Sequence, residues 1–338
     1  MSSAPTATRI WQDAGWLAQA VDPNAGLIRL VEMTPQDYRQ ASFLDDRILK
    51  PGQNAHLLPW DEVQTGMPAS VRTDARWIFH VGHVGSTLLS RILGELDNVL
   101  AVREPRSLRD LTFFPSDVRE KFVPTLRALM SRAFDPGQSA IVKATSMVSE
   151  IADELVGENG RALFLFASPD IYLRTILAGD RSQSELQSLA PYYVGRAKAH
   201  GIPLTNAQQS PATTAALVWA CEMVALEEAT DNLSPSRVHW HDFEVMLEDP
   251  EAALGTIVSF FGLTVEEAQM HEILGGPLLK RYSKAIEYEF GPEARRKLLD
   301  EAAARHGASI KAALAMLNRA AEKAPLLARA LQRSMPDF

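Results

Sequence analysis

From Trp77 to His241, five short runs rich in aliphatic and aromatic residues recur between longer stretches of helical periodicity. That alternation restricts the chain to a parallel sheet, because parallel strands need crossover helices between them and are then buried on both faces. The pattern predicts strands at Trp77–Val81, Val99–Val102, Ala140–Lys143, Ala162–Ala167 and Arg237–His241. Between them, Leu88, Leu89, Ile92, Leu93 and Leu96 give one apolar helix face and Met147–Leu155 another. Ala212–Ala229 reads as a long helix, the stretch from Pro250 as a helix stopped by Gly262, and the chain from Pro292 onward as largely helical. Residues 1–70 read as a helical extension packed on the core formed by 71–338. Thr34 caps its helix, Pro35 takes the first helical position, a loop runs through Pro51 and Gly52, and 43–48 pack on the main domain.

The first strand runs straight into the segment richest in chemistry, Trp77-Ile-Phe-His-Val-Gly-His-Val-Gly-Ser-Thr-Leu-Leu-Ser-Arg-Ile-Leu93. Gly82 and Gly85 let backbone N–H groups approach an anion, Ser86 and Thr87 add hydroxyls, and the following helix directs its positive end to the same place. A phosphate or sulfate suits such a loop; a plain glycine turn joining strand to helix also accounts for the string. A Walker A loop would need a Lys where Gly85 stands, and the spacing does not give a dinucleotide fingerprint.

Composition narrows the partners. The 338 residues are 46% hydrophobic, enough for a full core, and no apolar run is long enough to span a bilayer. The N-terminus lacks the charged and apolar regions of a signal peptide, which makes the cytoplasm the expected location. A formal charge of −8 argues against nucleic acid or an anionic membrane as partner, so any anion site is local. Cys221, the single cysteine, lies beside Trp219 and Met223 and reads as a core thiol. Trp219 itself fits either the core or the flank of a planar ligand. His80, His239 and His241 have no recognisable metal spacing, and no metal is expected.

Three separated segments carry a family resemblance. His83-Val-Gly-Ser-Thr87, Ala167-Ser-Pro-Asp-Ile-Tyr-Leu-Arg-Thr175 and the stretch from Val238 through Asp242 to Phe260-Phe-Gly-Leu263 follow one another as do matching segments of the P-loop sulfotransferases. Arg103-Glu-Pro105 and Tyr282-Ser-Lys284 also resemble parts of bacterial members. The resemblance implies a P-loop NTPase-like, three-layer α/β fold with a five-stranded parallel sheet. It further implies transfer of a sulfuryl group from 3′-phosphoadenosine 5′-phosphosulfate (PAPS) to a hydroxyl or amine of a small-molecule or peptide acceptor. A nucleotide-dependent phosphoryl-transfer enzyme and a non-catalytic nucleotide-binding member of the same fold are the alternatives.

Carried onto this sequence, the resemblance assigns Gly82, His83, Val84, Gly85, Ser86 and Thr87 to the 5′-phosphosulfate. Thr175, with Ser168 as a weaker neighbour, falls to the 3′-phosphate, and Tyr282, Ser283 and Lys284 to a loop covering the donor. Glu104, after the second strand at the carboxyl edge of the sheet, is the candidate base; an ion-paired or helix-capping carboxylate among Arg103, Arg106 and Arg109 is the other reading. Lys143 is the candidate for the bridging or sulfuryl oxygens, or else a strand-end lysine in a salt bridge. The acceptor pocket is expected to be shaped by the N-terminal segment and residues 183–206.

Two positions depart from the family. Its loop cation is His83 here, and its 3′-phosphate Arg is Ala167. Arg174, Arg181, Lys280, Arg281 and Lys284 are nearby sources of replacement charge. An ordinary imidazole titrates near about pH 6.5. If His83 supplies the loop's charge, donor affinity falls as pH rises past neutrality, and titrations of 3′,5′-ADP on either side of neutrality should show it. A flat profile shared by wild type and His83→Lys would dismiss that role.

Overall fold

The computed structural model describes residues 4–204, 210–278 and 291–335. Among the described residues eight strands form two sheets: β1 (Trp16–Asp22), β2 (Leu27–Glu32) and β3 (Ala55–Pro59) in one, and β4 (Arg76–His80), β5 (Val99–Arg103), β6 (Ser139–Lys143), β7 (Arg161–Phe166) and β8 (Val238–Asp242) in the other. The second sheet is parallel throughout, in the order β5-β6-β4-β7-β8. All five strands begin and end within one residue of the sequence expectation. Strands β5, β6 and β7 are buried along nearly their whole length, as helices on both faces require.

The strand order reverses direction of travel about β4, which leads into the loop. The chain goes from β4 outward to β5, returns to β6 beside β4, and then builds β7 and β8 on the other side. Such a switch point leaves a crevice at the carboxyl ends of the strands. The helix Ser86–Leu93 starts there, with every one of its residues buried. The expected helix over Met147–Leu155 is instead a 3-10 turn, Ser146–Ile151, followed by a short helix, Ala152–Val156.

The N-terminal segment corrects the helical expectation. It contains the expected Pro35–Gln40 helix, closed by a reciprocal Thr34/Asp37 capping box, but its body is the antiparallel sheet β1-β2-β3. The hairpin between β1 and β2 turns on Asp22-Pro-Asn-Ala-Gly26, where Asp22 accepts from the N–H groups of Asn24 and Ala25 and Gly26 takes φ +63°. That string between two apolar runs is a hairpin signal in the sequence itself.

This sheet is docked on the helices that flank the parallel one. Ser107 Oγ donates to the Ala18 carbonyl at 2.7 Å, and Asp110 accepts from Val21 N–H at 3.1 Å, fixing β1 to the helix Arg106–Thr112. Arg132, buried, donates to the carbonyls of Asp13 and Trp16. Arg103, also buried, donates to Tyr38 and Ala41 at 2.7 and 2.9 Å. The N-terminal segment thus grips the chain on both sides of Glu104, through the carbonyls of Tyr38 and Ala41 before it and through β1 after it.

A buried ionic cluster ties the helices Asp180–Ala199 and Pro211–Asn232 together and secures the turn after β6. Glu222 takes hydrogen bonds from Arg196 and Tyr193, and Arg196 pairs with Glu150 at 2.5 Å. His200 bridges Glu150 and Glu228 at 2.8 and 3.0 Å. Those two hydrogen bonds raise its pKa from 6.5 to about 9. Because the folded value lies above the unfolded one, its contribution is complete below about pH 6.5 and disappears as pH rises through about 9. Stability against urea is expected to fall by roughly 1–2 kcal/mol across that window, the exposed side of Glu228 limiting the effect. His200→Gln should flatten the dependence; an equally steep decline in that variant would assign it to other groups.

Candidate active site

His80 closes β4 and organises the loop. Its Nε2 lies 2.9 Å from the Ala144 carbonyl, while Gly82 N–H donates to its Nδ1 at 3.0 Å. The neutral ring therefore carries its proton on Nε2 and joins the ends of β4 and β6. One consequence corrects the cradle: the Gly82 N–H is committed to His80. Gly82 contributes its φ of +85° and its missing side chain instead. The first-turn N–H groups of the Ser86–Leu93 helix have no intrahelical acceptor and remain as donors. Val84 faces the core, so only its backbone can border a ligand. Gly85 takes φ +67°, and a Cβ there would overlap the ring of Phe243 from the turn after β8.

Glu104 lies two strands away. Its N–H donates to the Lys143 carbonyl at 2.7 Å, continuing the β5-β6 ladder by one residue, and Lys143 Nζ donates to its Oε1 in a close ion pair. Thr145 Oγ1 stands 3.5 Å from the other carboxylate oxygen. The helix that follows has Pro105 as N-cap and no side-chain cap, so Glu104 caps nothing. Nor do the neighbouring arginines claim it: Arg103 serves carbonyls and Arg106 pairs with Asp46 and Asp110. Lys143 Nζ is 5.8 Å from the centroid of Phe43, an aromatic wall contributed by the N-terminal segment, and Arg47 covers the same ring at 3.6 Å.

Among the described residues, the two non-glycine positions with positive φ are His83 at 55° and Glu104 at 53°. Each costs of order 1–2 kcal/mol in backbone energy and persists because its surroundings impose it. With strands about 4.8 Å apart, the order β5-β6-β4 puts the two strained residues and Lys143 along one short edge of the sheet.

No family model matches the chain, and no curated protein does. Solved structures to which it is similar include sulfotransferases. The sulfotransferase domain from the curacin biosynthetic pathway is 13% identical with a TM-score of 0.40, over 69% of this chain and 91% of that one. A sulfotransferase from Alicyclobacillus acidocaldarius is 13% identical with a TM-score of 0.38, over 71% and 97%. A mouse sulfotransferase complexed with PAP is 10% identical with a TM-score of 0.40, over 78% and 90%. The fold assignment rests on the strand order and the loop, not on these overlaps.

On the far side of the loop, Ala167 is buried and its carbonyl accepts from Trp219 Nε1 at 3.0 Å, which makes Trp219 a core residue. Ser168 caps the helix Pro169–Leu177 by accepting from Ile171 N–H, leaving its own proton to donate. Thr175 gives its proton to the Ile171 carbonyl at 2.8 Å. The geometry thus reverses their rank: Ser168 is the better remaining donor. Arg174 is paired with Asp170 at 2.6 Å and Arg181 is exposed. Tyr282, Ser283, Lys284, Lys280 and Arg281 lie outside the described residues.

One cation was missed by sequence reasoning. Arg295, in the helix Pro292–Ala321, lies 5.4 Å from the centroid of the Phe243 ring that covers Gly85, and pairs with Glu244 at 2.6 Å. Burial pushes the carboxyls of Asp242 and Glu244 up, and the Arg295 guanidinium opposes it. No motif marks Arg295, because its relation to the loop runs through a ring more than fifty positions away. Cys221 is buried, and burial pushes its thiol up to about 12, as a core thiol requires. Among the described residues no group of three or more His, Cys, Asp or Glu side chains is arranged to hold a metal, and no helix is long and apolar enough to cross a membrane.

Proposed function

We propose that the protein transfers a sulfuryl group from PAPS to a hydroxyl or amine acceptor. The observation that carries this reading is the pairing of a strained Glu104 with Lys143 at the carboxyl edge beside the strained, glycine-bent loop. The 5′ end of the donor fits the loop: first-turn N–H groups and the Ser86 and Thr87 hydroxyls suit a phosphosulfate. On the 3′ side, Ser168 offers a hydroxyl proton where Ala167 offers no charge.

In this reading Glu104 is the base. Lys143 holds the carboxylate in place through one oxygen and leaves the other facing Thr145 and the edge of the sheet. As the acceptor oxygen or nitrogen forms its bond to sulfur, its proton passes to Glu104. The bond from sulfur to the bridging oxygen breaks, and 3′,5′-ADP leaves with that oxygen and its electron pair. Lys143, within reach of the same edge, opposes the charge developing on the sulfuryl and bridging oxygens. Phe43 borders the pair and would flank the acceptor.

Thermal unfolding with 3′,5′-ADP, ADP and ATP tests the donor assignment. The 3′-phosphorylated nucleotide should stabilise most, because ligand bound to the folded state shifts unfolding by its affinity. Equal shifts from all three would favour a phosphoryl-transfer enzyme. No shift from any would leave the fold without a nucleotide.

A further inference from the structure

The loop has a second set of donors that no motif announces. Tyr172, on the helix Pro169–Leu177, is 1% exposed, and among the described residues its hydroxyl has no hydrogen-bond partner. An unpaired buried hydroxyl is costly, and native structures keep one where a ligand or water completes it. Its position names the place: a Cβ built on Gly82 would lie 3.9 Å from the Tyr172 hydroxyl and 3.5 Å from Ser146 Oγ. Two hydroxyls, one from the turn after β6 and one from the helix after β7, therefore flank the first glycine of the loop.

The same glycine's N–H is committed to His80. The residue after it, His83, is a histidine and not a permanent cation. Hydroxyls at this point supply donors that the loop backbone there does not. Burial, with Glu222 and Glu185 nearby, holds the Tyr172 phenol protonated well beyond the neutral range, so it donates at any working pH. Tyr193, whose phenol lies near enough to feel Tyr172, is already bonded to Glu222.

The geometry points to Tyr172, with Ser146 beside it, as a hydroxyl donor to an oxygen of the 5′-phosphate or sulfuryl group held in the loop. This rests on the loop being an anion site. Removing the Tyr172 hydroxyl then weakens the ligand without weakening the fold. The competing role is structural: Glu222 Oε2 also lacks a partner among the described residues, and a hydroxyl serving that carboxylate would matter to stability alone.

Calorimetry on the full chain with 3′,5′-ADP and with adenosine 3′-phosphate, which lacks the 5′ group, separates these. Tyr172→Phe should bind 3′,5′-ADP about three- to tenfold more weakly, the size of one neutral hydrogen bond. Its affinity for adenosine 3′-phosphate and its unfolding midpoint should match wild type. An unchanged affinity for 3′,5′-ADP overturns the proposal, whatever happens to stability, while leaving the anion-loop reading intact if wild type prefers 3′,5′-ADP. A wild type that binds neither nucleotide overturns both. If Tyr172→Phe does not fold, Ser146→Ala reads the same cradle: weaker 3′,5′-ADP binding supports it, and wild-type binding rejects it.

Discussion

Glu104→Gln is expected to lower turnover by about 10²–10⁴ while 3′,5′-ADP binds as in wild type, the range for removing a positioned general base. The amide matches the carboxylate in shape and can still accept from Lys143, so the edge of the sheet keeps its form. What is lost is the charge that, in the proposed mechanism, takes the acceptor's proton. Lys143, 1% exposed, then faces a neutral group, and the fold should lose about 1–3 kcal/mol. The two effects separate experimentally, because instability lowers the amount of active protein and not the rate of each folded molecule. Single-turnover rates on folded enzyme that match wild type would remove Glu104 from the chemistry and leave it a structural partner of Lys143.

Gly85→Ala should be the most damaging single change in the loop. A Cβ there overlaps the Phe243 ring, and φ +67° is unfavourable for any side chain. The left-handed backbone accounts for about 1–2 kcal/mol. Displacing a buried ring adds roughly 1–3 kcal/mol. Binding of 3′,5′-ADP should fail with it, since the first turn of the Ser86–Leu93 helix starts at that residue. The overlap part is removable: in a Phe243→Ala background the further cost of Gly85→Ala should shrink to the backbone part. A Gly85→Ala protein as stable as wild type, or a double variant with purely additive losses, would show that the ring does not close over the loop.

The elements that sequence reasoning located best are those whose signal is local. Four of the five parallel strands are runs buried along nearly their whole length, so their composition alone marks them, and the loop is marked by two glycines that adopt positive φ. The N-terminal sheet was harder to see. β1 reads Trp-Leu-Ala-Gln-Ala-Val-Asp, without the alternation of a half-buried strand, because the helix Arg106–Thr112 covers the face that would otherwise meet water. The Thr34 cap was legible because capping is a matter of three residues. Thr175 and Ser168 show the opposite limit. Both are hydroxyls at family-like positions, but which one keeps a donor depends on where each oxygen points once the helix has formed.

The sequence alone points to a parallel α/β sheet with a glycine-bent loop after the first of its five expected strands, and it places Glu104 just past the second of them and Lys143 at the end of the third. Short-range physics suffices for that: periodicity, backbone freedom at glycine and the burial of apolar runs. The fold adds that Lys143 partners Glu104, that the N-terminal segment holds Arg103 through the carbonyls of Tyr38 and Ala41 and brings Phe43 to that pair, and that Phe243, with Arg295 beside its ring, closes over Gly85. These contacts join residues dozens to hundreds of positions apart. They depend on strand order and side-chain packing, which follow from the balance of the whole core rather than from any local pattern.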